Sequence, residues 1–321
     1  MPRTQPTLED SLRRVSALVE EQLASVPREI FDLSSSPVNF LGKAVRARFT
    51  LLAGDALELP REQACRLAAA AELTHTASLL HDDCIDLALT RRGLPTLNDK
   101  LGVNAAILVG DLVVSMAFEM AEKASPHLAP ELVRTVRRMT EGALLEENWR
   151  GRRLSAAEAA RITSMKTGAL FRWCGLAACS LAGRPDLLED LAFIGEEAGA
   201  VFQAVDDVLD FEGDPAACGK ETLKDVKLGN FTLPLILALN DPAAGPAAEK
   251  LVAAVSAAGG NDLGPALELA ALVKERGFAA AARTRAAARI AALEPRLAGL
   301  PSPEGAAALK TFLFSFGERR R

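Results

Sequence analysis

Apolar residues recur at three- and four-residue spacing along nearly the whole chain, and the alternating runs that make strands are scarce. This pattern predicts helices over roughly 8–27, 43–57, 61–90, 102–123, 129–148, 155–182, 186–213, 232–240, 246–256, 264–276, 278–295 and 304–316. Start signals support several of them: Ser155-Ala-Ala-Glu158 matches a capping box, and Pro60, Pro130 and Pro185 stand near first-turn positions. Gly93–Asp99 and Gly213–Gly229 carry Gly, Pro, Asp and Lys and are expected to be loops. Nothing between residues 86 and 206 resembles an interdomain linker. The expectation is one all-α domain over residues 1–321, a single large helical bundle whose central cavity is lined by side chains of facing helices.

Two places break the apolar pattern in the same way. Asp82-Asp83-Cys84-Ile85-Asp86 and Asp206-Asp207-Val208-Leu209-Asp210 each set three carboxylates inside an apolar helical stretch. The first and last Asp of each pentad are i and i+4, so they share a helix face. Leu79, Leu80, Ile85 and Leu87 flank the first pentad, and Val205, Val208, Leu209 and Phe211 the second. Acids in so apolar a setting need cationic partners. Mg²⁺ prefers oxygen ligands and completes its shell with water and substrate phosphates, so the pentads point to diphosphate chemistry. The glycine-bearing loop of a calcium hand is missing.

Composition narrows the setting. At 49% hydrophobic and 25% charged, the 321 residues supply ample core, and the absence of Tyr lowers the expectation of strands further. A net charge of −5 provides no basic field for nucleic acid or an anionic membrane. Met1–Asp10 is polar and acidic, unlike a signal peptide. The most apolar window, Asn104–Phe118, is cut by Asp111 and is expected to be too short to span a bilayer. Five cysteines without a CxxC pattern suggest reduced thiols and a cytoplasmic protein.

Basic residues stand beside the acids. Arg91-Arg92-Gly93 follows the first pentad, where guanidinium forks can grip phosphate oxygens. In Gly42-Lys43-Ala44-Val45-Arg46, Lys43 and Arg46 are expected on one helical face. Lys166-Thr167 joins a point charge to a hydroxyl donor, and Gln203 lies one turn before Asp206. Lys220, Lys224 and Lys227 crowd the loop after the second pentad.

With these residues in place, the chain resembles the trans-isoprenyl diphosphate synthases (polyprenyl synthetases). Glu72 to Thr96, with His75, the first pentad and Arg91-Arg92, is similar to that family's first aspartate-rich motif. Phe202-Gln203-Ala-Val-Asp206-Asp207-Val-Leu-Asp210-Phe211 is similar to the second, and Gly219-Lys220, Asp225 and Thr232-Leu233-Pro234 resemble the region after it. The likeness runs from about Gly42 to Pro234. It implies the isoprenoid synthase fold and a homodimer.

By that resemblance Asp82, Asp86, Asp206 and Asp210 bind three Mg²⁺ ions together with an allylic diphosphate, and Asp83 and Asp207 support them. Arg91, Lys166, Thr167, Gln203 and Lys220 touch the allylic diphosphate, with Lys166, Thr167, Gln203 and Lys220 the catalytic set. Lys43, Arg46, His75 and Arg92 hold isopentenyl diphosphate. The implied reaction ionises the allylic diphosphate, joins its cation to isopentenyl diphosphate and loses a proton, lengthening the chain by five carbons. No Ser-His-Asp or Cys-His pattern and no glycine-rich phosphate loop compete with this reading.

Four positions depart from the family pattern: Ala44 stands where Arg is usual, Ala143 and Glu146 where Glu and Gln are usual, and Asn230 where a second Lys is usual. Ala77 and Ser78, just before the first pentad, are small where bulky residues stop growth early, so products longer than C15 are expected, with Phe118 a candidate deeper floor. The competing readings are a class I terpene cyclase-like enzyme and a non-catalytic subunit of a heteromeric synthase. The second pentad and Arg91-Arg92 argue against the first, and the intact aspartates against the second.

Overall fold

A computed structural model describes residues 7–32, 38–91, 93–212, 223–258 and 262–319. In chain order its helices are α1 Leu8–Leu23, α2 Val45–Ala56, α3 Arg61–Ile85, α4 Leu97–Leu101, α5 Val103–Ala124, α6 Leu128–Asn148, α7 Ala156–Thr163, α8 Ala169–Leu181, α9 Leu188–Glu212, α10 Lys224–Leu228, α11 Leu233–Leu239, α12 Gly245–Ala258, α13 Gly264–Glu275, α14 Phe278–Ala291, α15 Glu294–Ala298 and α16 Pro303–Gly317. A π-helical turn, Ser164–Gly168, joins α7 to α8. Two-residue strands β1 (Thr90–Arg91) and β2 (Leu94–Pro95) make a small antiparallel hairpin.

The chain forms two compact units. The first is Met1–Val136, Leu170–Gly195 and Arg296–Lys310, and the second is Arg137–Ala169, Glu196–Pro295 and Thr311–Arg321.

In the first unit α3 is the central element, packed by α1, α2 and α5. Ala68, Ala69, Ala70 and Ala71 are fully buried on it, and their small side chains let neighbours approach from every side. At Gly110 of α5 a Cβ would lie 2.3 Å from Nε2 of His81, so any larger residue there would have to displace the His81 ring. The N–H of Ala47, in the first turn of α2, donates to Oε1 of the buried Glu72 at 2.7 Å, satisfying an otherwise orphaned helix-end donor. Phe49 and Phe171 meet edge to face at 5.6 Å beneath these helices.

In the second unit Val208 and Phe211 turn the apolar side of α9 into a core shared with Ile236, Leu239 and Leu269. The capping box at Ser155 is present, with Ser155 and Glu158 each bonded to the other's backbone.

Several expected boundaries change. The helix predicted over 61–90 ends at Ile85, because Leu87 takes a left-handed conformation (φ 50°) and the N–H of Ala88 closes on the carbonyl of Asp83 at 3.0 Å. Glycine is the usual residue at such a position, and Leu87 is 69% exposed. Leu87→Gly should therefore raise stability by about 0.5–1 kcal/mol, since little packing is lost. A lower denaturation midpoint would contradict this.

The stretch 155–182 is two helices around the π turn, and 278–295 is divided between α14 and α15. Gly93–Asp99 contains β2 and the start of α4, whose first turn is capped by Thr96. Gly213–Gly229 contains α10. The apolar window Asn104–Phe118 lies within the 22-residue α5, which is long and apolar enough by length and composition to cross a membrane. Its length therefore does not rule out a membrane span. Burial of Ala106, Val109, Val113, Met116, Ala117 and Met120 along one stripe, and the tight crossing at Gly110, are instead the marks of a helix packed on α3.

Four cysteines are buried free thiols, and Cys218 lies outside the described residues. Burial pushes the Cys65 thiol up to about 11 and the Cys174 thiol up to about 12. At pH 8 roughly one Cys174 in ten thousand would be thiolate, against about one in four for a free thiol. A maleimide reagent should leave both residues unmodified until the protein is unfolded; rapid labelling of either in the folded state would contradict their burial.

Candidate active site

The first pentad occupies the last turn of α3. Asp86 is the C-cap, and no basic residue lies in that turn. The carbonyl end of a helix carries partial negative charge, so three carboxylates there add to an already unfavourable field. Asp83 is buried, and Nε of Arg91 donates to both of its oxygens at 2.9 Å, with Nη2 at 2.7 Å. The hairpin supplies that arginine from β1. Asp82 and Asp86 stay partly exposed. The pentad is thus divided into a buried acid held by Arg91 and two partly exposed acids.

Lys43 and Arg46 do not share a helical face. Ala44 between them is left-handed (φ 49°), the helix begins at Val45, and Lys43 is exposed ahead of it. Arg46 is 8% exposed with its guanidinium 5.2 Å from the Phe171 ring centre. The hydroxyl of Thr76 donates to the carbonyl of Phe40 at 2.9 Å, which ties the turn before Lys43 to α3 beside the half-buried His75. Arg92 lies outside the described residues.

The second pentad stands in the last two turns of α9, again with no basic residue in the last turn. Asp210 accepts the backbone N–H groups of Lys224 and Asp225 at 3.0 and 3.1 Å, one on each oxygen, and so caps α10 from fourteen residues away. Asp206 Oδ1 lies 3.0 Å from Nη1 of Arg319, an ion pair without hydrogen-bond alignment. The same guanidinium sits 4.5 Å over the Phe202 ring. Asp207 is buried and accepts from Nε2 of Gln203 at 2.9 Å, while the hydroxyl of Thr167 donates to Oε1 of Gln203 at 3.0 Å. Burial pushes the Asp207 carboxyl well above the ordinary range, and the charge of Asp225 pushes the same way. Asp225 is also raised, chiefly by burial, against the opposing hydrogen bond from Asn230.

Lys166 and Thr167 project from the π turn, a distortion frequent at functional sites. Nζ of Lys166 lies 2.6 Å from Oε2 of Glu146. Asn230, where a lysine was expected, donates to Asp225 at 3.2 Å and so partners the acid without neutralising it. Lys220 lies outside the described residues. Sequence reasoning did not single out Arg319 or the capping role of Glu72. The terminal arginine run was the only available signal for the first, and Glu72's place within an otherwise apolar helix the signal for the second.

A family model described as polyprenyl synthetase matches residues 28–261. The chain belongs to the polyprenyl synthetase family. It is 31% identical over 318 residues to the heptaprenyl diphosphate synthase component 2 of Geobacillus stearothermophilus, covering 94% of this chain and 95% of that protein. It is 33% identical over 238 residues to the octaprenyl diphosphate synthase of Haemophilus influenzae, covering 73% and 72%. Among solved structures, a decaprenyl diphosphate synthase from Rhodobacter capsulatus matches with a TM-score of 0.85 at 28% identity, covering 98% of this chain and 97% of that one. A polyprenyl synthase from Caulobacter crescentus, solved in complex with calcium and isoprenyl diphosphate, matches with a TM-score of 0.80 at 28% identity, covering all of both chains.

The fold is therefore the all-α isoprenoid synthase fold, and the enzyme is a transferase of prenyl groups. Polyprenyl synthetases depend on Mg²⁺. No three acidic, histidine or cysteine side chains among the described residues gather into a ready-made metal cluster, but the donor chemistry suits that ion. Each pentad offers hard oxygen donors at the negative end of a helix that has no basic residue of its own in the last turn.

Proposed function

We propose that this polyprenyl synthetase condenses an allylic diphosphate with isopentenyl diphosphate and releases an all-trans product longer than C15. The observation that carries the site assignment is the repetition of one arrangement: an aspartate pentad at a helix C-terminus, with basic residues close in sequence. Asp82, Asp86, Asp206 and Asp210 are the proposed ligands of three Mg²⁺ ions, which when bound supply Lewis-acid charge to the leaving diphosphate. Arg91, Lys166, Thr167, Gln203 and Lys220 are proposed to orient the allylic diphosphate. Lys43, Arg46, His75 and Arg92 are proposed to hold isopentenyl diphosphate. Fixed cations aimed at a departing anion need no reorganisation as its charge grows. The apolar side chains of the long helices exclude water from the allylic cation.

Residues 1–321 are read as one catalytic domain, because each compact unit is assembled from stretches that are discontinuous in sequence. A homodimer in the cytoplasm completes the reading. The exposed Ile107 and Leu108 of α5 offer apolar surface for a second copy. The name component 2 in the Geobacillus stearothermophilus relative makes dependence on a different subunit the alternative.

The deciding assay gives the purified chain Mg²⁺, labelled isopentenyl diphosphate and, in turn, dimethylallyl, geranyl, farnesyl or geranylgeranyl diphosphate. Extraction and sizing of the products should show chains beyond C15. Failure to incorporate label from any primer would reject an elongating enzyme that acts alone.

A further inference from the structure

The contact between Glu146 and Lys166 is built into the fold. Gly142 lies so close to the π turn that a Cβ on it would stand 2.7 Å from the Cβ of Met165 and 2.8 Å from the backbone nitrogen of Lys166. Glu146 follows Gly142 by four residues and shares its face of α6. The close approach at Gly142 therefore delivers the Glu146 carboxylate to the Lys166 ammonium at 2.6 Å. Both side chains are half-buried, at 26% and 33% exposure, so solvent screens the pair only in part. An ammonium is a point charge that a carboxylate and a phosphate oxygen can contest, whereas an amide at position 146 would remove that competing charge.

We propose that Glu146 is a positioning residue that sets how tightly the enzyme holds a diphosphate, by competing with it for Lys166. This rests on the reading of Lys166 as a diphosphate contact. Arrival of the diphosphate exchanges the Glu146 contact for a phosphate contact, and departure of product pyrophosphate lets the ion pair re-form. The exchange weakens substrate binding and speeds pyrophosphate release. It also gives a physical role to the glutamate that departs from the family's usual glutamine.

The test is calorimetric titration of inorganic pyrophosphate with Mg²⁺ into the wild type, Glu146→Gln, Lys166→Ala and the double variant. Glu146→Gln nearly preserves size, and thermal unfolding checks that each protein is folded; Glu146→Ala serves as a second replacement. Glu146→Gln should bind pyrophosphate about fivefold more tightly, the scale of a partly screened ion pair. Its KM for the allylic diphosphate should fall, and inhibition by pyrophosphate should strengthen.

Lys166→Ala should weaken pyrophosphate binding, and in its background Glu146→Gln should change nothing. Unchanged or weaker binding by Glu146→Gln beside a weakened Lys166→Ala would overturn the role of Glu146 alone. Tightening that persists without Lys166 would also overturn it, by showing direct repulsion. Wild-type binding by Lys166→Ala would overturn the diphosphate reading of Lys166 and this inference with it.

Discussion

Asp206→Ala is expected to lower kcat by at least about a thousandfold, the scale on which lost transition-state charge stabilisation is felt. The carboxylate sits near the negative end of α9, which carries no basic residue in its last turn. Its observed cationic neighbour is Arg319, across an ion pair that lacks hydrogen-bond alignment. A metal ion has to displace or share that contact, so the apparent Mg²⁺ requirement should rise together with the loss of kcat. Asp82→Ala should behave in the same way. Asp83→Ala should differ, because Asp83 is buried against Arg91 and its loss strands a guanidinium. Steady-state rates over a Mg²⁺ series separate these cases. Retention of most activity in Asp82→Ala or Asp206→Ala would contradict the metal assignment.

The second large effect concerns product length. Ser78 lies one turn before Asp82, is partly exposed and donates its hydroxyl to the carbonyl of His75 at 2.7 Å. Ala77, beside it, is only 2% exposed. The free space beside this turn of α3 therefore lies on the Ser78 side. Ser78→Phe should shift the products to shorter chains with little cost in stability. Ala77→Phe should shift them the same way while destabilising the protein by about 1–3 kcal/mol, the usual range for overfilling a packed site. Sizing the products by chromatography decides the matter, and an unchanged distribution in both variants would sink the idea that these small residues leave room for the chain.

The helices were legible because buried faces impose a three- to four-residue period on any sequence that builds them. The pentads were legible because charge inside such a face has no packing explanation. The capping box at Ser155 was legible because both partners lie within three residues of each other. What escaped depends on partners distant along the chain. Asp210 organises α10 from fourteen residues away, so the segment after the second pentad looked like loop. Glu146 reaches Lys166 across twenty residues and Arg319 reaches Asp206 across more than a hundred, and neither spacing leaves a periodic trace. Ala44 hid a helix start, because a left-handed alanine is unexpected and nothing else in the sequence separated Lys43 from Arg46.

The π turn at Ser164–Gly168 has a consequence for comparing this enzyme with its relatives. It holds one residue more than an α-helical path would need. Deleting Met165 would restore ordinary pitch and leave the flanking helical turns in register, and only the residues of the turn itself would change the direction in which they project. In a relative shorter by one residue here, the lysine found by counting would project from a different side of the helix. Correspondence across this segment has to be traced in space, outward from the flanking helices.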